Sequence, residues 1–159
     1  MIRIGTGYDL HRLKEGLPLI LGGVNIPHTK GCVAHSDGDV LAHAITDAIL
    51  GAAALGNIGL LFPDTDPAYK DADSLELLRQ TMNLLGEAGY ALVNVDSTIV
   101  AQQPKLNPHI DAIRESLAEV LRLPVNRVSV KAKTNESVGP EGREEAISVQ
   151  AVALITSND

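Results

Sequence analysis

Asp9 and His11 stand two residues apart, and in an extended segment residues so spaced project to the same side. A third group of this kind, His43, follows the polar run Ala34-His35-Ser36-Asp37-Gly38-Asp39. Two histidines and one carboxylate are three ligands of the type that hold a tetrahedral zinc ion and leave one position open for a substrate. The spacing alone also admits another reading, in which Asp9 caps a turn and His43 is a hydrogen-bonded core histidine. Ser36-Asp37-Gly38-Asp39 has the look of a calcium loop. An EF-hand needs glutamate at its twelfth position, however, and counting from Asp37 that residue is Ala48, so calcium is rejected. His35 and Ser36, just ahead of a helix, can either donate to a phosphate together with free backbone amides or form a plain capping turn.

Lys105 after Pro104, and the cluster Lys131-Ala132-Lys133-Thr134-Asn135-Glu136, put cations, a hydroxyl and a carboxylate at loop edges, where solvated surface charge is the ordinary role. The glycines at 5, 7, 22, 23, 56 and 59 match neither the dinucleotide fingerprint nor the P-loop. There is no nucleophile elbow, and nothing in the sequence activates Cys32, so covalent catalysis is disfavoured.

The elements that must position these groups are readable from periodicity. Residues 1–8 alternate apolar and polar or small and read as a strand ending at Tyr8-Asp9-Leu10-His11; Leu19-Ile20-Leu21 before Gly22-Gly23 is a second, expected to pair with the first. Asp37 or Gly38 closes a turn, and Asp39 suits the first turn of a helix that runs on through residue 50. Small and aliphatic residues occupy most of its circumference, which predicts burial and requires a partner for His43. Residues 56–67 form a long polar connection. Leu75, Leu78, Met82 and Leu85 predict an amphipathic helix stopped at Gly89 that carries no chemistry. A strand over 94–101 follows, then a helix with Asn107 as cap and Pro108 at its first position, a strand over 128–133, a polar loop over 134–145, and a last strand over 146–156. The order β, β, α, α, β, α, β, β predicts an α/β protein of the α+β type: a single mixed β-sheet with helices packed on one face. Because the late strands carry apolar residues on both sides, the other face is expected to pack in the core of a homo-oligomer.

Length and composition bound the rest. A chain of 159 residues fits a single domain, 1–159, that buries about 70% of its unfolded surface. Hydrophobic residues make up 45% and aromatics 3%, so the core must be built from Ala, Val, Ile and Leu in close contact. One cysteine and no signal-peptide pattern predict a cytoplasmic setting, and no segment is apolar and long enough to predict a membrane span. A formal charge of −7 argues against nucleic-acid binding, and an anionic small-molecule substrate needs local help from metals, lysines or backbone amides.

Taken together, Gly7-Tyr8-Asp9-Leu10-His11, His35-Ser36-Asp37-Gly38-Asp39, Leu61-Phe62-Pro63-Asp64-Thr65-Asp66 and Lys131-Ala132-Lys133-Thr134-Asn135-Glu136 resemble, in order and spacing and essentially end to end, the 2-C-methyl-D-erythritol 2,4-cyclodiphosphate synthases of the non-mevalonate isoprenoid pathway. The resemblance implies a homotrimer with active sites between adjacent subunits. It implies a reaction in which the 2-phosphate of 4-diphosphocytidyl-2-C-methyl-D-erythritol 2-phosphate attacks the β-phosphorus, CMP leaves and a cyclic diphosphate forms. Zn²⁺ would sit on Asp9, His11 and His43, and Glu136 would hold a second divalent ion, Mg²⁺ or Mn²⁺. His35 and Thr134 would stabilise the transition state, with Ser36 on the 2-phosphate end. The remaining substrate-binding positions carried over are Asn57, Gly59, Phe62, Asp64, Asp66, Ala101, Pro104, Lys105, Lys133 and Arg143. Where the family commonly has an aspartate at the ribose, this chain has Asn57, which keeps an acceptor but loses the charge; Pro140 stands where many relatives have a cavity-lining phenylalanine. Two other readings of the residues stand beside this one: a zinc phosphohydrolase activating water on the same ligands, and a trimeric small-molecule binding protein with a structural metal.

Overall fold

The N-terminal alternation becomes β1 (Ile2–Glu15), which runs past His11 because its end pairs with residues 30–32. The computed structural model describes residues 1–157; residues 158 and 159, part of the expected 1–159 domain, lie outside the described residues. The other elements are β2 (Leu19–Leu21), β3 (Val24–Ile26), β4 (Lys30–Cys32), α1 (Val40–Ala53), α2 (Ile58–Leu61), α3 (Ser74–Glu87), β5 (Tyr90–Val100), α4 (Ile110–Leu121), β6 (Val128–Lys133), α5 (Gly139–Gly142) and β7 (Ala146–Ser157).

Five strands form a mixed sheet in the order β4-β1-β7-β5-β6. β7 lies antiparallel between β1 and β5, from Ile2 opposite Thr156 to Arg12 opposite Ala146 on one side and from Tyr90 opposite Ser157 to Val100 opposite Ser148 on the other. β5 and β6 are parallel, and α4 lies on the crossover between them. The expected pairing of residues 19–21 with the first strand does not form. Gly22 and Gly23, at φ 58° and 76°, let the chain turn at once, so β2 pairs with β3 in a separate two-stranded hairpin, Leu21 opposite Val24. The end of β1 pairs instead with β4, Leu13 opposite Cys32.

α1 packs on β1 and β7, and α3 and α4 pack over β5 and β6, so the long helices share one side of the sheet. Buried Leu, Ile and Val side chains such as Leu41, Ile45, Ile49, Leu78, Leu117 and Ile155 fill the space between, each contributing about 1.5–3 kcal/mol. α1 sits unusually low on β1. A Cβ on Gly7 would stand 1.9 Å from the Ala44 carbonyl oxygen, and one on Gly5 2.1 Å from that of Ala48, so only glycine permits this approach. On the opposite side Ile2, Ile4, Tyr8 and Leu10 of β1 and Val152 of β7 are exposed, Ile2 at 71% and Ile4 at 67%. Among the described residues no helix is long and apolar enough to cross a membrane.

Helix starts refine the expectations. Asp39 lies outside the first turn of α1 as its N-cap, accepting from the Ala42 amide at 3.0 Å. Asn107 does not cap α4: Asn107–His109 form a 3-10 turn, and α4 begins at Ile110 without a side-chain cap.

Candidate active site

Odd-numbered positions of β1 face α1, so Asp9 and His11 continue the row begun by Gly5 and Gly7 and arrive beneath the first turn of the helix, where His43 is found. Asp9 Oδ2 is 3.0 Å from His11 Nε2 and 3.1 Å from His43 Nδ1, and the two ring nitrogens are 3.1 Å apart. Three ligands at about 2.0 Å from a tetrahedral ion stand about 3.3 Å from one another. The donor set therefore fits a divalent metal ion, and it can hold one with each residue giving one ligand atom. Burial works against ionisation of Asp9, but hydrogen bonds and charge from His11 and His43 outweigh it and hold the carboxyl far below the usual carboxylate range.

The far side of His43 is equally ordered. Its Nε2 lies 2.8 Å from Ser74 Oγ and 3.2 Å from Ser36 Oγ. The 34–39 loop is laced to the segment ahead of α3: the Asp37 amide donates to the Ala72 carbonyl at 3.1 Å, and the Asp71 amide to the His35 carbonyl at 2.9 Å. Asp37 in turn accepts from the Ser74 amide at 3.0 Å and the Ser74 hydroxyl at 2.5 Å. Asp39 closes the other side, its Oδ1 accepting from Gly22 at 3.0 Å and its Oδ2 from Gly23 at 2.7 Å. Asp37 and Asp39 thus shape the turn and start the helix. Cys32 nearby is no nucleophile: burial first, then the charges of Asp39, Asp9 and Asp37, push its thiol up to about 12.

Asp9, His11, His35, Ser36 and His43 line one cleft of about 390 Å³, together with Gly59, Phe62 and Asp64 from the long connection. Phe62 is held edge to face against Tyr69, ring centres 5.6 Å apart. Asn57 and Asp66 do not line this cleft; they hold the connection in shape, Asn57 Oδ1 capping α2 at the Leu60 amide and Asp66 Oδ1 accepting from the Ala68 amide, both at 2.9 Å. Ala101, Pro104, Lys105, Lys133 and Thr134 line a second cleft, of about 450 Å³, that shares no lining residue with the first. Glu136 lines neither; it sits in a left-handed turn at φ 53°, next to Ser137, whose amide donates to Gln102 Oε1 at 3.2 Å and so ties the two loops of the second cleft together. Arg143 is exposed and paired with Glu145 at 3.0 Å, a contact that raises the guanidinium and lowers the carboxyl. The structure thus brings the first-cleft residues together, and separately those of the second, but does not join the two sets within one chain.

Sequence reasoning missed Ser74, which follows Asp73 at the start of a helix expected to carry no chemistry, and the cleft-lining Ala34, Ile58, Tyr69 and Leu77. A polar Asp-Ser pair at a helix start was the available signal for Ser74.

The profile of the YgbB family matches residues 2–156. A curated relative from Burkholderia mallei (strain SAVP1), 2-C-methyl-D-erythritol 2,4-cyclodiphosphate synthase, is 60% identical over 153 residues, covering 96% of this chain and 94% of the relative. A solved 2C-methyl-D-erythritol-2,4-cyclodiphosphate synthase in a CDP-bound form superposes with a TM-score of 0.90 at 44% identity over 97% of this chain and all of that one. The bifunctional IspDF from Campylobacter jejuni gives a TM-score of 0.96 at 46% identity over the whole chain, which spans 43% of that longer protein.

Proposed function

Because this chain belongs to the YgbB family, we infer that it converts 4-diphosphocytidyl-2-C-methyl-D-erythritol 2-phosphate to 2-C-methyl-D-erythritol 2,4-cyclodiphosphate and CMP, as a cyclising phosphorus-oxygen lyase of non-mevalonate isoprenoid biosynthesis. An oxygen of the 2-phosphate attacks the β-phosphorus. The new P–O bond closes the ring, the bond from the β-phosphorus to the bridging oxygen breaks, and CMP leaves with that oxygen. A phosphate monoester, with its second pKa about 6, is already largely ionised near neutrality and needs no strong base. The protein's tasks are to fold the substrate into attack geometry, worth roughly 7–11 kcal/mol in favourable cases, and to offset crowded phosphate charge.

The observation that carries this reading is the convergence of Asp9 Oδ2, His11 Nε2 and His43 Nδ1 within 3.1 Å in a cleft also lined by His35 and Ser36. These three residues would hold a divalent ion, read as Zn²⁺ because two imidazoles and a carboxylate suit it. When bound, the ion supplies Lewis acidity to a β-phosphate oxygen. Ser36 donates to the 2-phosphate end, while Gly59, Phe62 and Asp64 confine the erythritol portion, Asn57 stands toward the ribose, and Asp66 belongs to the same connection. Lys105 and Lys133 offset the charge of the cytidine diphosphate, which Ala101 and Pro104 flank; His35 and Thr134 donate in the transition state, and Glu136 would hold a second divalent ion, Mg²⁺ or Mn²⁺. Arg143, exposed beside Glu145, would add a further cation to the substrate-binding set.

Both clefts are needed for one substrate, and they have no lining residue in common. The exposed apolar row Ile2, Ile4, Tyr8 and Leu10 gives a surface that burial against other copies would remove from water. These features support self-association, read as a homotrimer with each active site formed by the first cleft of one subunit and the second cleft of the next; the cytoplasmic setting rests on the single cysteine.

The test is CMP release from this substrate with Mg²⁺ by the wild type, by protein stripped with a chelator, and by His43→Ala. The reading predicts a stripped protein that stays folded and inactive and recovers with Zn²⁺, and an inactive His43→Ala. Equal turnover by His43→Ala overturns the metal assignment; unfolding on stripping favours a structural metal.

A further inference from the structure

Building on that metal assignment, we propose that Ser74, backed by Asp37, is a positioning residue that fixes His43 in the Nε2–H tautomer and so leaves Nδ1 bare as the ligand. Ser74 is 1% exposed, and its hydroxyl lies between two groups, Asp37 Oδ1 at 2.5 Å and His43 Nε2 at 2.8 Å. A carboxylate only accepts, so the single hydroxyl proton goes to Asp37. The oxygen then turns a lone pair toward His43 Nε2, which must carry a hydrogen. Neutral imidazole has one N–H. Its other nitrogen, Nδ1, is therefore unprotonated, and this is the atom that meets Asp9 Oδ2 and His11 Nε2, each at 3.1 Å.

The reverse arrangement is disfavoured at Ser74 and incompatible with a metal ion on Nδ1. A Ser74 hydroxyl donating to Nε2 would set its oxygen lone pairs against Asp37 Oδ1; the N–H it would leave at Nδ1 could donate to Asp9 Oδ2 at 3.1 Å but would bar that nitrogen from a metal ion. Nor can Asp37 swing away, because its Oδ2 accepts from the Ser74 amide at 3.0 Å and its Oδ1 from the Asp39 amide at 3.1 Å. Ser36 Oγ, at 3.2 Å, is the more distant of the two hydroxyls on Nε2 and lines the cleft, so the nearer and buried Ser74 sets the tautomer and leaves Ser36 for phosphate. The first residue of α3 thus orients a ligand on α1, the arrangement by which outer partners of ligating histidines raise metal affinity.

Two measurements test this, the first on metal-free protein. Long-range ¹H–¹⁵N correlation of His43 is recorded at about pH 8, where ordinary imidazoles are neutral, in the wild type, Ser74→Ala and Ser74→Thr. The expected result is a single Nε2–H pattern in the wild type and in Ser74→Thr, and a mixture in Ser74→Ala. Competition of Zn²⁺ with a chromogenic chelator is expected to show an affinity about 10–100-fold weaker for Ser74→Ala and near wild type for Ser74→Thr. A wild type that carries the His43 proton at Nδ1, toward Asp9 Oδ2, an unchanged His43 pattern in Ser74→Ala, or zinc affinity within about twofold of wild type overturns the proposal. If Ser74→Ala fails to fold by circular dichroism, Asp37→Asn replaces it, because an amide that donates to Ser74 Oγ lets the hydroxyl reverse; the same mixture is expected, and an unmixed Nε2–H pattern overturns the proposal. A wild type that binds no Zn²⁺ counts against the metal assignment, and the tautomer measured without metal still decides the role of Ser74.

Discussion

Asp47 Oδ1 accepts a 2.7 Å hydrogen bond from the Ile58 amide, joining the middle of α1 to the first residue of α2. Through this bond the helix that carries His43 also holds the cleft wall formed by Ile58 and Gly59. Burial raises the Asp47 carboxyl above its ordinary value and the charge of Asp9 adds to the rise, against the Ile58 N–H and His43.

The sign of the resulting pH dependence follows from linkage. With the native value raised, the native state holds this proton more tightly than the unfolded chain, whose carboxyl titrates at about 3.9. The contribution of Asp47 to stability is full below that value and falls as pH rises through the native one. Asp47→Asn keeps the acceptor for Ile58 and removes the buried charge. In metal-free protein we expect it to equal or exceed the wild type in urea midpoint at pH near 7, with the wild type gaining relative to it on acidification toward about pH 4. Relative loss by the wild type on acidification would contradict the assignment.

Asp39 gives a sharper stability prediction. Its two oxygens accept from three backbone amides, those of Ala42, Gly22 and Gly23, and so join the start of α1 to the β2–β3 turn. Asp39→Asn sets an amide NH₂ against at least one of these N–H groups. The expected loss is roughly 1–3 kcal/mol in urea unfolding, with native activity at low temperature. An unchanged midpoint would mean that the three bonds do not support the helix start.

The exposed row on β1 predicts the assembly. Ile4→Glu places a charge on the uncovered face without touching the core or the clefts. Sedimentation is expected to find the wild type as a trimer and Ile4→Glu as folded, inactive monomers. A variant that sediments and turns over like the wild type would mean that the sheet face is no interface.

The parts legible in the sequence were those with a local signal. The periodicity of Leu75, Leu78, Met82 and Leu85 marked α3, the small and aliphatic run after Asp39 marked buried α1, and the two-residue spacing of Asp9 and His11 put them on one side of a strand. Non-local features stayed hidden. Lys30-Gly31-Cys32 has no strand alternation and becomes β4 only because Leu13, Lys14 and Glu15 lie opposite it. The β2–β3 hairpin was missed because Leu19-Ile20-Leu21 looked like a partner for the first strand, whereas the turn chemistry of Gly22-Gly23 pairs it with its own neighbour. Ser74, one residue ahead of the Leu75 periodicity, escapes a local reading because its partners, His43 and Asp37, are 31 and 37 residues away.

The central claim is that the product is a ring. Incubating the purified protein with 4-diphosphocytidyl-2-C-methyl-D-erythritol 2-phosphate, Zn²⁺ and Mg²⁺ and following phosphorus NMR tests it directly. The account predicts loss of the diphosphate and monoester resonances of the substrate and growth of CMP together with the two coupled resonances of a cyclic diphosphate. CMP appearing with an acyclic bisphosphate would identify a hydrolase and contradict the account.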